Sequence, residues 1–259
     1  MSQFEFKDTS INGQDVRVFT TLASYTVPEP SLFYFDKHLN RVLGSAQELG
    51  ILNESIQEHQ REYIQNTSLD KLREFHNDHN NRAKLRIEIS TNGTEIEVSP
   101  YQNIWDKTDS IKTVSFKSER PLPKHKTMFT EVCLKARKFA EENGYNEAIL
   151  IDDDQTIREG AWSNIFWINQ EKQIFTTKDK ILPGVTKQAI LENFECIEKN
   201  CSKTELLDEA VEMFITQSTS GVIPVSSFDD KTFTTELSSQ IRSKFEEIVK
   251  RDSKAIPLG

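Results

Sequence analysis

The most informative pattern in the chain lies within residues 85–98. Apolar and polar residues alternate over 85–90 and again over 96–98, which is the period of a half-buried β-strand. Asn92-Gly93 stands between the two runs, and this dipeptide favours a tight turn between antiparallel strands. The pattern therefore predicts a β-hairpin. A β-rich run and three helical stretches in the same half of the chain predict an α+β fold; they cover 16–22, 36–49, 54–66 and 68–77.

A proline-rich segment at 118–123 separates the two halves of the sequence. Two prolines within three residues stiffen the backbone and exclude helix, so the segment predicts an interdomain connection. We expect a smaller N-terminal α+β domain at 1–117 and a larger C-terminal domain at 124–259. The larger domain is predicted to combine helices at 127–142, after Gly184 and at 235–250 with short apolar strands at 148–151, 165–168 and 213–215.

Composition and charge exclude several classes of function. The 259 residues carry a net charge of -9, which argues against binding along a nucleic-acid backbone, since that requires a basic face. The three cysteines form neither a CxxC pair nor a zinc-ligand spacing, so we expect no metal site and a reducing, cytoplasmic location. The polar N-terminal segment, and the lack of a run of about 18 apolar residues, predict neither an export signal nor a membrane span.

Two charged residues stand at positions that suit a reactive site. Lys126 lies between the proline-rich connection and the helix predicted at 127–142. Glu159 immediately precedes a glycine turn that leads into the apolar strand at 165–168. Taken singly, each has an ordinary explanation, as a solvated lysine near a helix start and as a turn or cap residue.

Two further segments are suited to holding an anion. Val185 and Thr186 follow a Pro-Gly turn and open a helix, whose first backbone N–H groups are not used within the helix. Ser218 and Thr219 lie in a hydroxyl-rich loop after the strand predicted at 213–215. An N-capped helix and a polar turn would show the same patterns. The prediction therefore depends on the order and spacing of all these segments together.

In that order, the segments resemble the class-IV family of pyridoxal-phosphate enzymes. The family includes branched-chain aminotransferases, D-amino-acid aminotransferases and 4-amino-4-deoxychorismate lyases. Membership implies a two-domain fold of type IV, with a smaller α/β N-terminal domain, a β-barrel-like core in the larger domain, and assembly as a homodimer. The resemblance is carried by LFYFDKHLNRVLGSAQELGI at 32–51, YNEAILIDDDQTIREGAWSNIFW at 145–167, ILPGVT at 181–186 and FITQSTSGVIPV at 214–225.

The same resemblance implies a role for each candidate residue toward pyridoxal 5′-phosphate. The family's cofactor lysine, which holds the cofactor as a Schiff base, begins a helix shortly before the EAxLxD strand. Lys126 precedes Glu147 by 21 positions, and Lys124 is a nearby competitor. Glu159 would lie beside the pyridine nitrogen, so that the protonated ring accepts electrons from the substrate. The residues implied to bind the phosphate are Arg41, Val185, Thr186, Ser218 and Thr219.

The resemblance leaves the reaction open between two enzymes. An aminotransferase would move an amino group between an amino acid and a keto acid, with Lys126 moving the α-proton. A 4-amino-4-deoxychorismate lyase would instead release pyruvate and 4-aminobenzoate. Phe19-Thr20-Thr21 favours the lyase, because a threonine near the substrate could assist proton transfer. We place transamination first, the lyase second, and a non-catalytic relative that only binds ligands third.

Departures from the family concern the substrate rather than the cofactor. The usual Gly-Asp-Gly turn followed by Phe-Glu-Thr is reduced to VFTT at 18–21. Branched-chain enzymes carry a tyrosine a few residues after the lysine, where this chain has Phe129 and Glu131. The arginine motifs that bind the substrate carboxylate in branched-chain and D-amino-acid enzymes are not recognisable. The sequence thus predicts the cofactor but neither the substrate nor its handedness.

Overall fold

The computed structural model describes residues 10–11, 14–26, 29–53, 57–102 and 108–257. The helices in this part of the chain are α1 (Phe35–Glu48), α2 (Gln57–Asp78), α3 (Glu131–Glu142), α4 (Val185–Asn193), α5 (Lys203–Glu209) and α6 (Glu236–Asp252). The strands are β1 (Ser10–Ile11), β2 (Gln14–Asp15), β3 (Val18–Tyr25), β4 (Ser31–Phe33), β5 (Ala83–Ser90), β6 (Gly93–Pro100), β7 (Ile111–Lys117), β8 (Glu147–Ile151), β9 (Ile157–Gly160), β10 (Asn164–Ile168), β11 (Ile174–Thr176), β12 (Cys196–Glu198), β13 (Glu212–Gln217), β14 (Gly221–Phe228), β15 (Lys231–Thr232) and β16 (Ser253–Ala255).

Contacts between residues divide the chain into two compact units. The first consists of Met1–Gln102, His125–Met128 and Val249–Gly259, and the second of Asn103–Lys124 and Phe129–Ile248. This grouping differs from the predicted domains at 1–117 and 124–259, because β7 pairs within the second unit and Lys126 lies in the first. The predicted domain boundaries stay a prediction.

The first unit is built on a five-stranded antiparallel sheet with the order β16-β4-β3-β5-β6. Its β5 and β6 form the predicted hairpin, and a two-residue loop joins Ser90 to Gly93. Gly93 has a φ of 131°, a conformation that glycine adopts without strain. The apolar side chains of β5 are fully buried, as the alternation predicts: Leu85, Ile87 and Ile89.

Two helices belong to the first unit. The α1 helix confirms the prediction at 36–49, whereas α2 is one continuous helix, so the prediction of separate helices at 54–66 and 68–77 is wrong. Residues 54–56 lie outside the described residues. The helix continues because Ile64, Ser68 and Leu72 are all fully buried, and their spacing of four residues keeps them on one face.

The second unit is built on a nine-stranded mixed sheet that curls into a half-barrel. The strand order is β12-β11-β10-β13-β14-β7-β8-β9, with β15 paired to β14. Large rings are buried on both faces of this sheet: Phe166 and Phe214 stack with centroids 4.7 Å apart on one face, and the fully buried Trp167 lies on the other. The predicted α+β class and barrel-like core of the larger domain are confirmed.

Of the remaining helices, α4 and α6 begin close to where the sequence predicts them, α3 begins later, and α5 was not predicted. The α4 helix follows Gly184, and α6 matches the helix predicted at 235–250. The α3 helix starts at Glu131, four residues later than the predicted start. Within the described ranges, no helix combines the length and apolarity that spanning a bilayer requires.

Candidate active site

Lys126 is held against β3 by its backbone. Its carbonyl oxygen accepts a hydrogen bond from the Phe19 amide at 2.8 Å, and Thr127 forms an antiparallel bridge with Val18. The Met128 amide donates to the Arg17 carbonyl at 3.0 Å. Residues 126–128 therefore extend along the strand instead of opening a helix, which corrects the expectation that Lys126 begins one.

The Lys126 amine lies near the ring of Phe19, which belongs to the VFTT segment at 18–21. Its Nζ is 4.8 Å from the centroid of the Phe19 ring. The side chain of Lys126 is partly buried, whereas the competing Lys124 is exposed. The half-buried position beside β3 favours Lys126 over Lys124 as the residue that carries a cofactor.

Arg41 belongs to the same unit, and its guanidinium donates to the Thr20 hydroxyl, with Nη2 and Oγ1 2.9 Å apart. Thr20 Oγ1 is also 2.8 Å from Nδ1 of His38. Thr20 and His38 are buried, at 0% and 2% exposure. We call these three residues the Arg41–Thr20–His38 chain. Burial, and then the charges of Arg41 and Lys126, hold the pKa of His38 well below its ordinary value.

Arg86 is a second guanidinium near Lys126 that the sequence did not single out. It lies on β5 opposite Thr21, and its Cζ is 4.1 Å from the centroid of the same Phe19 ring. It also forms an ion pair with Glu88 at 2.9 Å. Alternation predicts that Arg86 and Glu88 share one face of β5, but the pairing with β3 that brings Arg86 to Phe19 is visible only in the fold.

Glu159 lies at the centre of the second group of candidates, which belongs to the other unit. One carboxylate oxygen accepts from Arg120 Nη1 at 3.2 Å, and the other accepts from the Leu182 amide at 3.0 Å. Both charged side chains are almost completely buried, at 3% for Glu159 and 9% for Arg120. A buried carboxylate held by a cation and a backbone amide has a fixed position.

The α4 N-terminus follows directly from the loop that binds Glu159. In the described part of the chain no side chain caps this helix at Gly184, and Val185 and Thr186 are buried. The first amides of α4 therefore face an enclosed environment and are suited to an anion.

Asn164 connects this helix start to the third candidate segment. Its side-chain amide donates to the Leu182 carbonyl at 2.9 Å, and it pairs across the sheet with Thr216 at the end of β13. Ser218 and Thr219 form the turn that follows β13. Glu159, the α4 start and this turn are thus brought together within one unit. Sequence patterns missed Asn164, because its role depends on the pairing of β10 with β13.

The comparison with protein families identifies the chain. The model of the family described as amino-transferase class IV matches residues 17–228. The chain belongs to the class IV aminotransferase family. The match confirms the predicted family and enzyme class, and class IV aminotransferases are pyridoxal-phosphate enzymes.

Relatives and solved structures agree with this membership. This class IV protein is 30% identical to the D-alanine aminotransferase of Bacillus licheniformis over 226 residues, which cover 78% of this chain and 76% of that protein. It superimposes on a branched-chain aminotransferase of Thermoproteus uzoniensis with a TM-score of 0.81 at 18% identity, covering 93% of this chain and 90% of the other. For a branched-chain aminotransferase of Escherichia coli the TM-score is 0.80 at 20% identity, with coverage of 93% and 90%. These structural similarities confirm the predicted fold type.

Proposed function

We propose that this class IV aminotransferase binds pyridoxal 5′-phosphate at Lys126 and transfers an amino group between an amino acid and a keto acid. The observation that carries the proposal is the pairing of residues 126–128 with β3. This pairing holds the Lys126 amine beside Phe19, in the same unit as the Arg41 guanidinium. An amine for an aldehyde and a guanidinium for a phosphate are the donor types that pyridoxal phosphate requires.

The residues of the second unit also fit this cofactor. The Thr216 hydroxyl is buried, and among the residues that the structure describes none hydrogen-bonds it. It lies beside Asn164, in the region of the α4 start and the Ser218–Thr219 turn. Backbone amides and hydroxyl groups of this kind bind phosphate oxygens. We propose that Val185, Thr186, Ser218 and Thr219 bind the cofactor phosphate together with Arg41.

The chemistry of each residue indicates its role toward the cofactor and the substrate. Bound pyridoxal phosphate supplies an aldehyde that condenses with amines and a ring that accepts electrons from the substrate α-carbon. Glu159 presents an anion to the ring nitrogen, and Arg120 and the Leu182 amide keep its carboxylate in place. The amine of Lys126 takes a proton from the α-carbon of the substrate and returns it. Arg86 is a candidate contact for an acidic substrate, because it lies over the same Phe19 ring as Lys126.

Absorbance of the purified holoenzyme tests the cofactor lysine. We expect near-visible absorbance in the wild type and in Lys124→Ala, and its loss in Lys126→Ala. Lys124 is the matched control, because it is a lysine two residues away with an exposed side chain. Retained absorbance in Lys126→Ala together with loss in Lys124→Ala would reverse the assignment.

The reaction itself is tested by adding single amino acids of both hands to the holoenzyme. A change of cofactor absorbance with at least one amino donor, and amino transfer to an added keto acid, is the expected result. The 4-amino-4-deoxychorismate lyase remains the second candidate, because Thr21 lies on the Phe19 face of β3 opposite Arg86. Pyruvate release from 4-amino-4-deoxychorismate, with no response to any amino acid, would establish the lyase instead. The homodimer and the cytoplasmic location stay predictions, and light scattering of the holoenzyme tests the former.

A further inference from the structure

We infer that Thr20 and His38 are positioning residues that orient the Arg41 guanidinium for phosphate binding. The inference rests on the proposed function, in which Arg41 binds the cofactor phosphate. The observation behind it is the Arg41–Thr20–His38 chain, in which one buried hydroxyl lies within hydrogen-bond distance of both neighbours. Neither positioning role follows from the family's phosphate arginine alone.

The donors available fix the direction of one of the two hydrogen bonds. A guanidinium can only donate, so Thr20 Oγ1 accepts from Arg41. The Thr20 hydroxyl keeps its own proton and a second lone pair, so it can donate to Nδ1 of His38 or accept from it, according to the tautomer of the ring. In both cases the imidazole is neutral. Its lowered pKa supports this, since a buried imidazole near two cations disfavours a further charge.

The Arg41–Thr20–His38 chain links β3 to α1 through the Thr20 hydroxyl. Thr20 lies on β3, whereas His38 and Arg41 lie three residues apart on α1 and so share one face of that helix. Arginine side chains have many rotamers, and ordering them opposes binding. A guanidinium already held by Thr20 loses less freedom when it meets a phosphate. Because the acceptor is a neutral hydroxyl, this contact does not neutralise the positive charge that attracts the phosphate.

The test compares two ligands of the apoenzyme, pyridoxal phosphate and pyridoxal, which differ only in the phosphate. We expect Thr20→Val to weaken pyridoxal phosphate binding about tenfold, because an arginine side chain that is no longer held must be ordered on binding, and to leave pyridoxal affinity unchanged. His38→Leu should have a similar effect. His38→Asn should restore the preference for pyridoxal phosphate over pyridoxal, because the Asn side-chain amide can accept from the Thr20 hydroxyl or donate to it in place of Nδ1.

A buried threonine elsewhere provides the matched control. Thr113 is fully buried on β7, and its hydroxyl donates to the Ser227 carbonyl at 3.0 Å. We expect Thr113→Val to lower the melting temperature but not the ratio of the two affinities. Equal weakening of both ligands by Thr20→Val would overturn the inference, since it would indicate a structural role alone.

Arg41→Met separates the inference from the function on which it rests. If Arg41→Met leaves the ratio of affinities unchanged, Arg41 does not bind the phosphate and the proposed site is wrong. If Arg41→Met lowers the ratio but Thr20→Val does not, the site stands and the positioning role is refuted. In the Arg41→Met background, we expect Thr20→Val to cause no further loss, because its effect acts through the guanidinium.

Discussion

Glu147, the first residue of β8, is a fully buried carboxylate whose titration should be measurable as a change in stability. Its oxygens accept hydrogen bonds from the Ala148 amide at 3.0 Å, the Trp162 amide at 3.4 Å and the Ser163 hydroxyl at 3.3 Å. Two of these donors belong to the turn that follows Glu159. Burial raises the pKa of Glu147 to about 7, against the opposing effects of these hydrogen bonds and of Arg137.

The sign and size of the effect follow from this pKa. The folded state favours the protonated carboxyl, so the contribution of Glu147 to stability is complete below the ordinary pKa of 4.5 and is lost as the pH rises through 7. One pKa unit corresponds to about 1.36 kcal/mol. The free energy of unfolding should therefore fall by about 3 kcal/mol over this range because of Glu147 alone.

The perturbation that isolates this effect is Glu147→Gln, which resembles the protonated carboxyl in shape and cannot ionise. Urea unfolding at pH 5 should give the variant and the wild type free energies of unfolding within about 1 kcal/mol of each other. At pH 8 we expect the variant to be more stable by about 2 to 3 kcal/mol. Glu171→Gln, which removes a carboxylate at an exposed position, is the control and should leave the pH profile unchanged. Parallel profiles for Glu147→Gln and the wild type would refute the reasoning.

Three other variants test separate parts of the structure. Gly184→Ala would place its Cβ 2.0 Å from Asn164 Oδ1, so we expect weaker retention of pyridoxal phosphate and a lower melting temperature; unchanged cofactor affinity would contradict the role of this loop. Ser202→Ala removes the capping box that Ser202 forms with Glu205 at the start of α5, and urea unfolding should show a loss of about 1 kcal/mol with activity retained. Arg86→Met should raise KM for acidic amino donors but preserve the cofactor absorbance, and an unchanged KM would exclude Arg86 as a substrate contact.

Local patterns predicted the elements whose residues interact with their neighbours in sequence. The hairpin at 85–98 followed from alternation and a turn dipeptide, and α4 from a Pro-Gly turn. Patterns failed where distant contacts decide the structure. Residues 126–128 pair with β3, over a hundred residues earlier in the chain, and this pairing delays α3 to Glu131. The α2 helix continues through residue 67, where local helix propensity is weak, because buried residues on one face stabilise it on both sides of this position.

The same distinction holds for the candidate site. Lys126, Arg41 and Glu159 could be selected because the segments around them resemble motifs of the family. Their supporting residues could not, since strand pairing and helix packing bring these to the site from elsewhere in the chain. Arg120 precedes the two prolines of the predicted connection and yet is buried against Glu159. From the sequence alone, Arg120 is expected to be a solvated surface charge.

Thr20 shows why a departure from a family signature can carry information. A glutamate in the family's Phe-Glu-Thr signature stands where this chain has Thr20, and from sequence alone the change only weakens the resemblance. In the structure the Thr20 hydroxyl accepts from Arg41 and is within hydrogen-bond distance of Nδ1 of His38, so one small side chain serves two partners. A carboxylate at position 20 would place a negative charge against the Arg41 guanidinium and neutralise it. The neutral threonine hydroxyl instead holds the guanidinium and leaves its positive charge for the phosphate that we propose it binds.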